Sequence, residues 1–431
     1  MERIGALALG MSLLLAASGA AAGRASFDDL IANLKSPNAA TREEAVGALG
    51  KSRRREAVAP LAALVRDPEP KVRLEVVKAL RELRDLGGVP ALVTFMGDGD
   101  PRIREEAIGT LVEVLSDQSR TGPVGRFLEI FSDQHDRAPV APYSQVDPSV
   151  YRALATALRD EDSDIREDAA LALGILDGKP ATKELVAALQ DPVPGVRGKA
   201  ATAIGQIGST DDGRALIPLL ADENAGVRDR ALLAVGVLRV KEAGPALREM
   251  YEQNRRKELG LRVLSCLSRI GDPSQADLFR ELLQDPDLER RRLAIEGLGR
   301  VSEASMLSGF KKDYQRERND ELKLAYSFAL TLLGDRAFID SIVLCLPSKT
   351  LGNRCRSYVL EMGRDVLPDL YTYLNDPDAD VRAELCDILS ELGDPEAIPR
   401  LTPLISDPSS KVADRANRAV ERLRARGATS Q

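Results

Sequence analysis

The chain of 431 residues exceeds the length at which one hydrophobic core keeps growing, so it must either divide into domains or extend by repetition. With 44% hydrophobic and 29% charged residues, few aromatics and no Trp, it has the composition of a soluble helical protein. A net charge of −7 offers no concentrated basic face to a phosphate backbone, which excludes nucleic acid as the expected partner.

The first residues differ from all that follow. Ile4 to Gly23 carry no charge, Leu7 to Ala17 form an apolar stretch, and Ala20-Ala21-Ala22 offers small residues for cleavage. This is the pattern of a secretory signal peptide over residues 1–23, and it implies a periplasmic or secreted mature chain. An uncleaved anchor is the rival reading, because the uncharged run approaches the roughly 20 residues that span a bilayer. No later stretch is long and apolar enough to cross a membrane, so the mature chain is expected to have no membrane span.

From residue 24 to 424 one unit recurs, seen in DPEPKVRLEVVKALREL, DPVPGVRGKAATAIGQIG and DPDADVRAELCDILSELG. Indexed by its first core residue, it falls at Thr41, Val72, Ile103, Gln134, Ile165, Val196, Val227, Leu259, Arg290, Leu322, Leu351, Val381 and Val412, a period of about 31 residues. Core positions at 0, +4, +8 and +11, such as Val196, Ala200, Ile204 and Ile207, lie within an arc of about 80° on a helix. That narrow stripe marks an amphipathic first helix packed on one side. A Gly near +12, as at Gly208, Gly271, Gly334, Gly363 and Gly393, is expected to end it in a left-handed C-cap. Apolar pairs near +20 and +24, such as Leu154/Leu158, Leu185/Leu189 and Leu247/Tyr251, mark a second helix. Asp at −5, often followed by Pro as in Asp67-Pro68, Asp191-Pro192 and Asp376-Pro377, reads as the N-cap of the next first helix.

A lone helical hairpin cannot cover its apolar stripe, so each unit must lean on its neighbours. The expected fold is therefore all-α: an α-solenoid, or superhelix, of about thirteen helix pairs, with second helices lining a concave face. Two charge ladders run along it. Arg stands at +1 in Arg42, Arg73, Arg104, Arg166, Arg197, Arg228, Arg291 and Arg382. Asp stands at −5 in Asp67, Asp98, Asp160, Asp191, Asp222, Asp285, Asp376 and Asp407. The matched spacing predicts rungs in which guanidinium donates to the carboxylate of a consecutive unit, lapsing at Gly260 and Gly352, where Arg is missing.

The combination Val196-Arg197, Ala200 and Ile204-Gly205 resembles the HEAT-like repeat first named for phycobilisome lyases, and the resemblance covers nearly all of the mature chain. It implies the helical-hairpin solenoid; for function it implies a protein-binding scaffold or, in the alternative, a bilin or cofactor lyase-like or chaperone-like helper. The HEAT-like deoxyhypusine hydroxylases bind iron through several His-Glu pairs, which this chain with its single His lacks.

One unit departs from the pattern. Over residues 132–148 the segment SDQHDRAPVAPYSQVDP places Pro139 and Pro142 where a helix cannot continue, and a loop is expected there. His135 falls at the Arg position of that unit, and with no Cys or nucleophile motif beside it no catalytic triad is expected. Phe127, Phe131, His135, Tyr143 and Tyr151 are the candidate partner-binding residues, since loops on rigid scaffolds and large aromatic side chains commonly anchor partners.

Cys266, Cys345, Cys355 and Cys386 show no metal-binding spacing; they read as small buried residues, with a Cys355–Cys386 disulfide conceivable in an oxidising compartment because the two occupy nearly equivalent places in adjacent repeats. The basic runs at Arg255-Arg256-Lys257, Arg290-Arg291-Arg292 and Lys311-Lys312 read as solvated helix ends. A disordered tail is expected over 425–431. Together these readings give a monomeric, non-catalytic scaffold with no cofactor or metal, binding a protein partner. Burying one Leu contributes roughly 1.5–3 kcal/mol, so Leu173→Asp or Leu298→Asp should lower the melting temperature and cost helical circular dichroism at moderate temperature. A variant that melts like the parent would show the register to be misplaced.

Overall fold

The computed structural model describes residues 26–117 and 146–429, and among them every regular element is helical. The expected signal peptide over 1–23 and the loop residues 132–145 lie outside the described residues. The chain divides into two compact units, Met1–Ala91 and Leu92–Gln431. In the first, Phe27–Asn33, Ala39–Lys51, Val58–Ala62 and Pro70–Leu83 form successive antiparallel helices. The second repeats the same hairpin through to Ser410–Thr429, a helix that passes the boundary at 424 drawn from the sequence.

The stripe read from the sequence is the buried one: Val72, Val76 and Leu80, and likewise Val196, Ala200 and Ile204, are all 0–2% exposed. Glycine at +9 sets how closely first helices approach. A Cβ at Gly205 would lie 2.7 Å from the Ala234 side chain, and one at Gly299 2.7 Å from the Ala329 Cα. Each of these glycines meets the small residue at +7 of the following unit, so two backbones can pack almost in contact.

Where the first helix ends, the +12 residue takes a positive φ at Gly271, Gly334, Gly363 and Gly393, and Gly271 and Gly393 form the expected left-handed C-cap. Gly208 is the exception: it is extended, with φ −73° and ψ 166°, and hands the chain to a capping box begun by Ser209. Arg53, Arg84, Asp177, Arg239 and Ser302 adopt positive φ at the same position without being glycine. For a residue with a Cβ this conformation costs about 1–2 kcal/mol.

The aspartates at −5 are not the N-caps. The cap falls two residues later, at Asp162, Asn224, Asp287, Asn319 and Asp378, whose side chains accept from backbone N–H groups of the first turn. The −5 carboxylate instead accepts from the N–H of the residue at −3, as Asp191 does from Val193 at 2.8 Å, and keeps its outer face for the ladder.

The rungs form. Arg197 donates through Nε and Nη2 to Asp222, both at 2.8 Å, while its Nη1 donates at 2.9 Å to the Asp191 carbonyl. Arg42–Asp67, Arg166–Asp191 and Arg382–Asp407 repeat this bidentate geometry. Arg228 and Arg291 have no Asp at the matching place; their guanidinium groups reach back to the carbonyls of Asp222 and Asp285.

Arg104 pairs with Asp160, bidentate at 2.7 Å, and Pro101–Asp117 packs directly on Ser163–Ile175. These are consecutive layers, so the unit indexed by Gln134 is not a layer of its own. The two periods between Ile103 and Ile165 hold one hairpin plus an inserted stretch about one period long, whose second helix begins at Pro148 behind the Asp147 cap.

Cys355 pairs with Cys345, Cα to Cα 6.1 Å, and not with Cys386, which is a buried free thiol like Cys266. The reason is geometric: position +4 faces the end of the preceding second helix, where Cys345 lies, whereas Cys386 belongs to the layer beyond. The disulfide joins the layers indexed by Leu322 and Leu351, between which Lys323 and Leu346 stand at the Arg and Asp positions of the ladder.

Truncating a buried bidentate Arg costs more than truncating one that meets only carbonyls. Arg197→Ala should therefore lower stability by about 2 kcal/mol or more and Arg228→Ala by clearly less, as read from urea melts; equal losses would show that the carboxylate rung does not couple layers.

Candidate functional site

Of the residues singled out from the sequence, Phe127, Phe131, His135 and Tyr143 lie outside the described residues. Tyr151 is described, in the helix Pro148–Ala157. Its hydroxyl donates to the Leu176 carbonyl at 2.9 Å, and burial, with the Asp177 charge adding to it, holds the phenol above its ordinary range. Its hydroxyl is thus used to tie a second helix to the end of the next first helix.

Charged side chains unforeseen in the sequence meet in the second unit, on the first-helix side. Glu296, 3% exposed in the middle of Leu288–Arg300, accepts from Arg292 and from the Tyr358 hydroxyl, and from Arg300 Nη1 at 3.1 Å. Arg300 donates from Nε and Nη2 to both oxygens of Glu361, at 2.8 and 2.9 Å, and from Nη1 to Ser268 Oγ at 2.9 Å. Arg239 reaches the same Glu361 at 2.6 Å. Phe328 stacks on Tyr358 with ring centres 4.0 Å apart, and the Arg300 guanidinium lies over the Phe328 ring, 5.0 Å from its centre.

The electrostatics follow from this enclosure. Burial alone would raise the Glu296 carboxyl, but Arg292 and Arg300 hold it down to about 2. Burial works against the Arg300 charge, yet Glu361 and Glu296 keep the group above its ordinary value. Tyr358 is pushed far up by burial and by the neighbouring Glu296 charge. All members are ion-paired or hydrogen-bonded, so this is a structural cluster with no free acid or base.

Two expectations are corrected here. Arg292 is buried and is not a solvated helix end. The side that closes on itself between Arg239 and Glu361 carries first helices, so in this stretch second helices do not line the inner face. The signal was present in the spacing Arg292, Glu296, Arg300, a lone carboxylate inside the apolar run Ala294-Ile295-Glu296-Gly297-Leu298 with an Arg one turn to each side.

The second helices present different chemistry. Leu344 is 54% exposed. On one side of its helix Tyr314 meets Ser341, hydroxyl to hydroxyl at 3.2 Å, and packs edge-on against Phe338; on the other Tyr373 donates to Asp340. Further along, a cleft of about 730 Å³ opens between the last two second helices, lined by Leu367, Tyr371, Arg364, Asp394, Glu396 and Arg400. The Arg400 guanidinium covers the Tyr371 ring at 5.4 Å. Among the described residues no group of His, Cys, Asp and Glu is placed to hold a metal ion.

The family model described as HEAT repeats matches residues 27–112, 151–236, 213–299 and 349–427. No curated protein matches. Among solved structures, an engineered protein is 18% identical with a TM-score of 0.38, over 92% of this chain and 98% of its own. YibA of Escherichia coli is 16% identical with a TM-score of 0.41, over 64% of this chain and 92% of its own. The complex of CpcE and CpcF of phycocyanin lyase from a Nostoc species gives 20% identity and a TM-score of 0.30, over 64% and 94%.

A carboxylate whose folded pKa is depressed adds stability above its unfolded pKa and loses it as pH falls through the folded value. For Glu296 that window runs from its ordinary 4.5 down to about 2. Glu296→Gln leaves two buried guanidinium groups short of a partner and should cost about 3–5 kcal/mol at neutral pH. In thermal melts the gap between parent and variant should narrow as pH falls through that window; a gap unchanged at pH 2 would contradict the assignment.

Proposed function

Since the chain belongs to the HEAT-repeat family, we propose that it is an exported, non-catalytic scaffold that binds a partner protein through its second helices between residues 307 and 401. The carrying observation is Leu344, half in solvent at the end of a second helix that Tyr314 and Tyr373 of the neighbouring second helices contact at Ser341 and Asp340. An exposed aliphatic side chain with aromatic side chains on the adjoining helices is the composition of an interface centre. The first-helix side near Glu361 is by contrast filled by the protein's own charges. Phe127, Phe131, His135 and Tyr143 of the inserted stretch, and the ring of Tyr151, are candidates for the same partner.

Export is supported by the uncharged run from Ile4 to Gly23 and by the Cys345–Cys355 disulfide, since such bonds persist mainly in oxidising compartments. The test is a photo-crosslinking residue in place of Leu344, with one at exposed Lys51 as control, in the native host. A discrete adduct at 344, absent at 51 and abolished by Tyr373→Asp, is the expected result. No adduct at 344, or a purified protein carrying covalent visible-absorbing pigment, would overturn the scaffold reading, the latter in favour of a lyase-like helper.

A further inference from the structure

In a solenoid each repeat ordinarily touches only the one before and the one after. The rungs of the Arg ladder obey this, joining residues 25 apart in sequence, or 56 apart across the inserted stretch at Arg104–Asp160, but always consecutive layers. The cluster around Glu361 does not. Arg300 and Glu361 are 61 residues apart, Tyr358 and Glu296 62, and Arg239 and Glu361 122. In units of the repeat, the first two contacts skip one layer, and the third skips three.

A contact between distant layers acts as a chord across an arc. The curvature of a solenoid is the sum of small rotations at successive interfaces. Fixing the two ends of the arc fixes that sum, though no single interface is altered. Removing the chord lets each interface relax slightly while its rungs and apolar stripe stay intact.

The members of the chord differ in accessibility. Arg300 and Glu296 have side chains 9% and 4% exposed, and Phe328, which contacts both Arg300 and Tyr358, is fully buried. The Arg239 side chain is 48% exposed and meets Glu361, itself 18% exposed, at the rim. A rim pair is weak and screened by salt, whereas the enclosed pairs are shielded from it. The outer contact is therefore the one that solution conditions or a bound partner can release.

We propose that Arg239 and Glu361 form a latch that holds the layers from Val227 to Met362 in a closed turn, and that its release opens the turn without unfolding any layer. This goes beyond the partner-binding reading and does not depend on it. The opening changes the spacing of second helices along residues 241–375.

The test uses the full mature chain with spin labels at Lys241→Cys and Asp365→Cys, the native cysteines being buried or disulfide-bonded. Arg239→Gln should move the mean label distance outward by roughly a few ångström, the sum of small rotations over the two interfaces between the layers of Val227 and Arg290, which the Arg300–Glu361 pair does not span. High salt should do the same to the parent, and Arg239→Lys should restore much of the parent distance. Amide exchange in Ala225–Val237 should be unchanged. A distance identical to the parent in Arg239→Gln at low and high salt would overturn the latch. So would an increase accompanied by lost amide protection, which would mean local unfolding in place of a rigid opening.

Discussion

The arginine at +1 is the point at which one layer is tied to the next. Its guanidinium has two jobs: Nη1 satisfies a carbonyl of its own unit's turn, and Nε with Nη2 clamps the aspartate that begins the following unit. That aspartate in turn fixes its own turn through a backbone N–H. One planar fork therefore sets the conformation of two connecting loops and the offset between them, which a lysine with a single point charge cannot do. The apolar stripe supplies most of the burial, but a stripe of Val, Ala and Ile can slide; the fork cannot.

The rung also explains which parts of the chain were legible beforehand. Period, stripe and ladder repeat many times, so errors at any one unit average away, and the pairing of Arg197 with Asp222 follows from spacing alone. The same averaging misled at residues 118–147. An insertion about one period long leaves the count unbroken, and only the pairing of Arg104 with Asp160 shows that no layer stands between them. Features that occur once were out of reach: Glu361 looks like any exposed helix residue until the stack bends far enough to bring Arg300 and Arg239 to it. The Cys345–Cys355 bond was hidden for a related reason, because it joins a second helix to the next first helix, whereas the repeat pattern relates first helices only to one another.

The two faces of the second unit are consequently unlike in physical character. On the first-helix side, burial of Arg292, Glu296 and Arg300 is tolerated because each charge has at least two partners. A buried ion pair of this kind adds little net stability over an apolar core of the same volume, but it is costly to break and strict in geometry. It therefore acts chiefly to select one curvature among the many that a stack of similar layers would permit. On the second-helix side the network of Arg248, Glu252, Arg255, Asp277 and Glu281 lies open to solvent, and Leu344 keeps an exposed apolar surface on a helix whose neighbouring tyrosines have their hydroxyls already directed.

Curvature and surface are thereby coupled through the layers themselves. Second helices sit on the outside of the turn that Arg239 and Glu361 close, so their spacing depends on how tightly the first helices are drawn together. A rigid ligand spanning several second helices would bind one curvature better than another, and by linkage would bias the charge cluster on the opposite face. Nothing has to be transmitted along a wire of side chains for this to occur: each layer is stiff, each interface turns a little, and the fork at +1 keeps the turning in register. The closed turn and the exposed strip at Leu344 are then two sides of a single mechanical element.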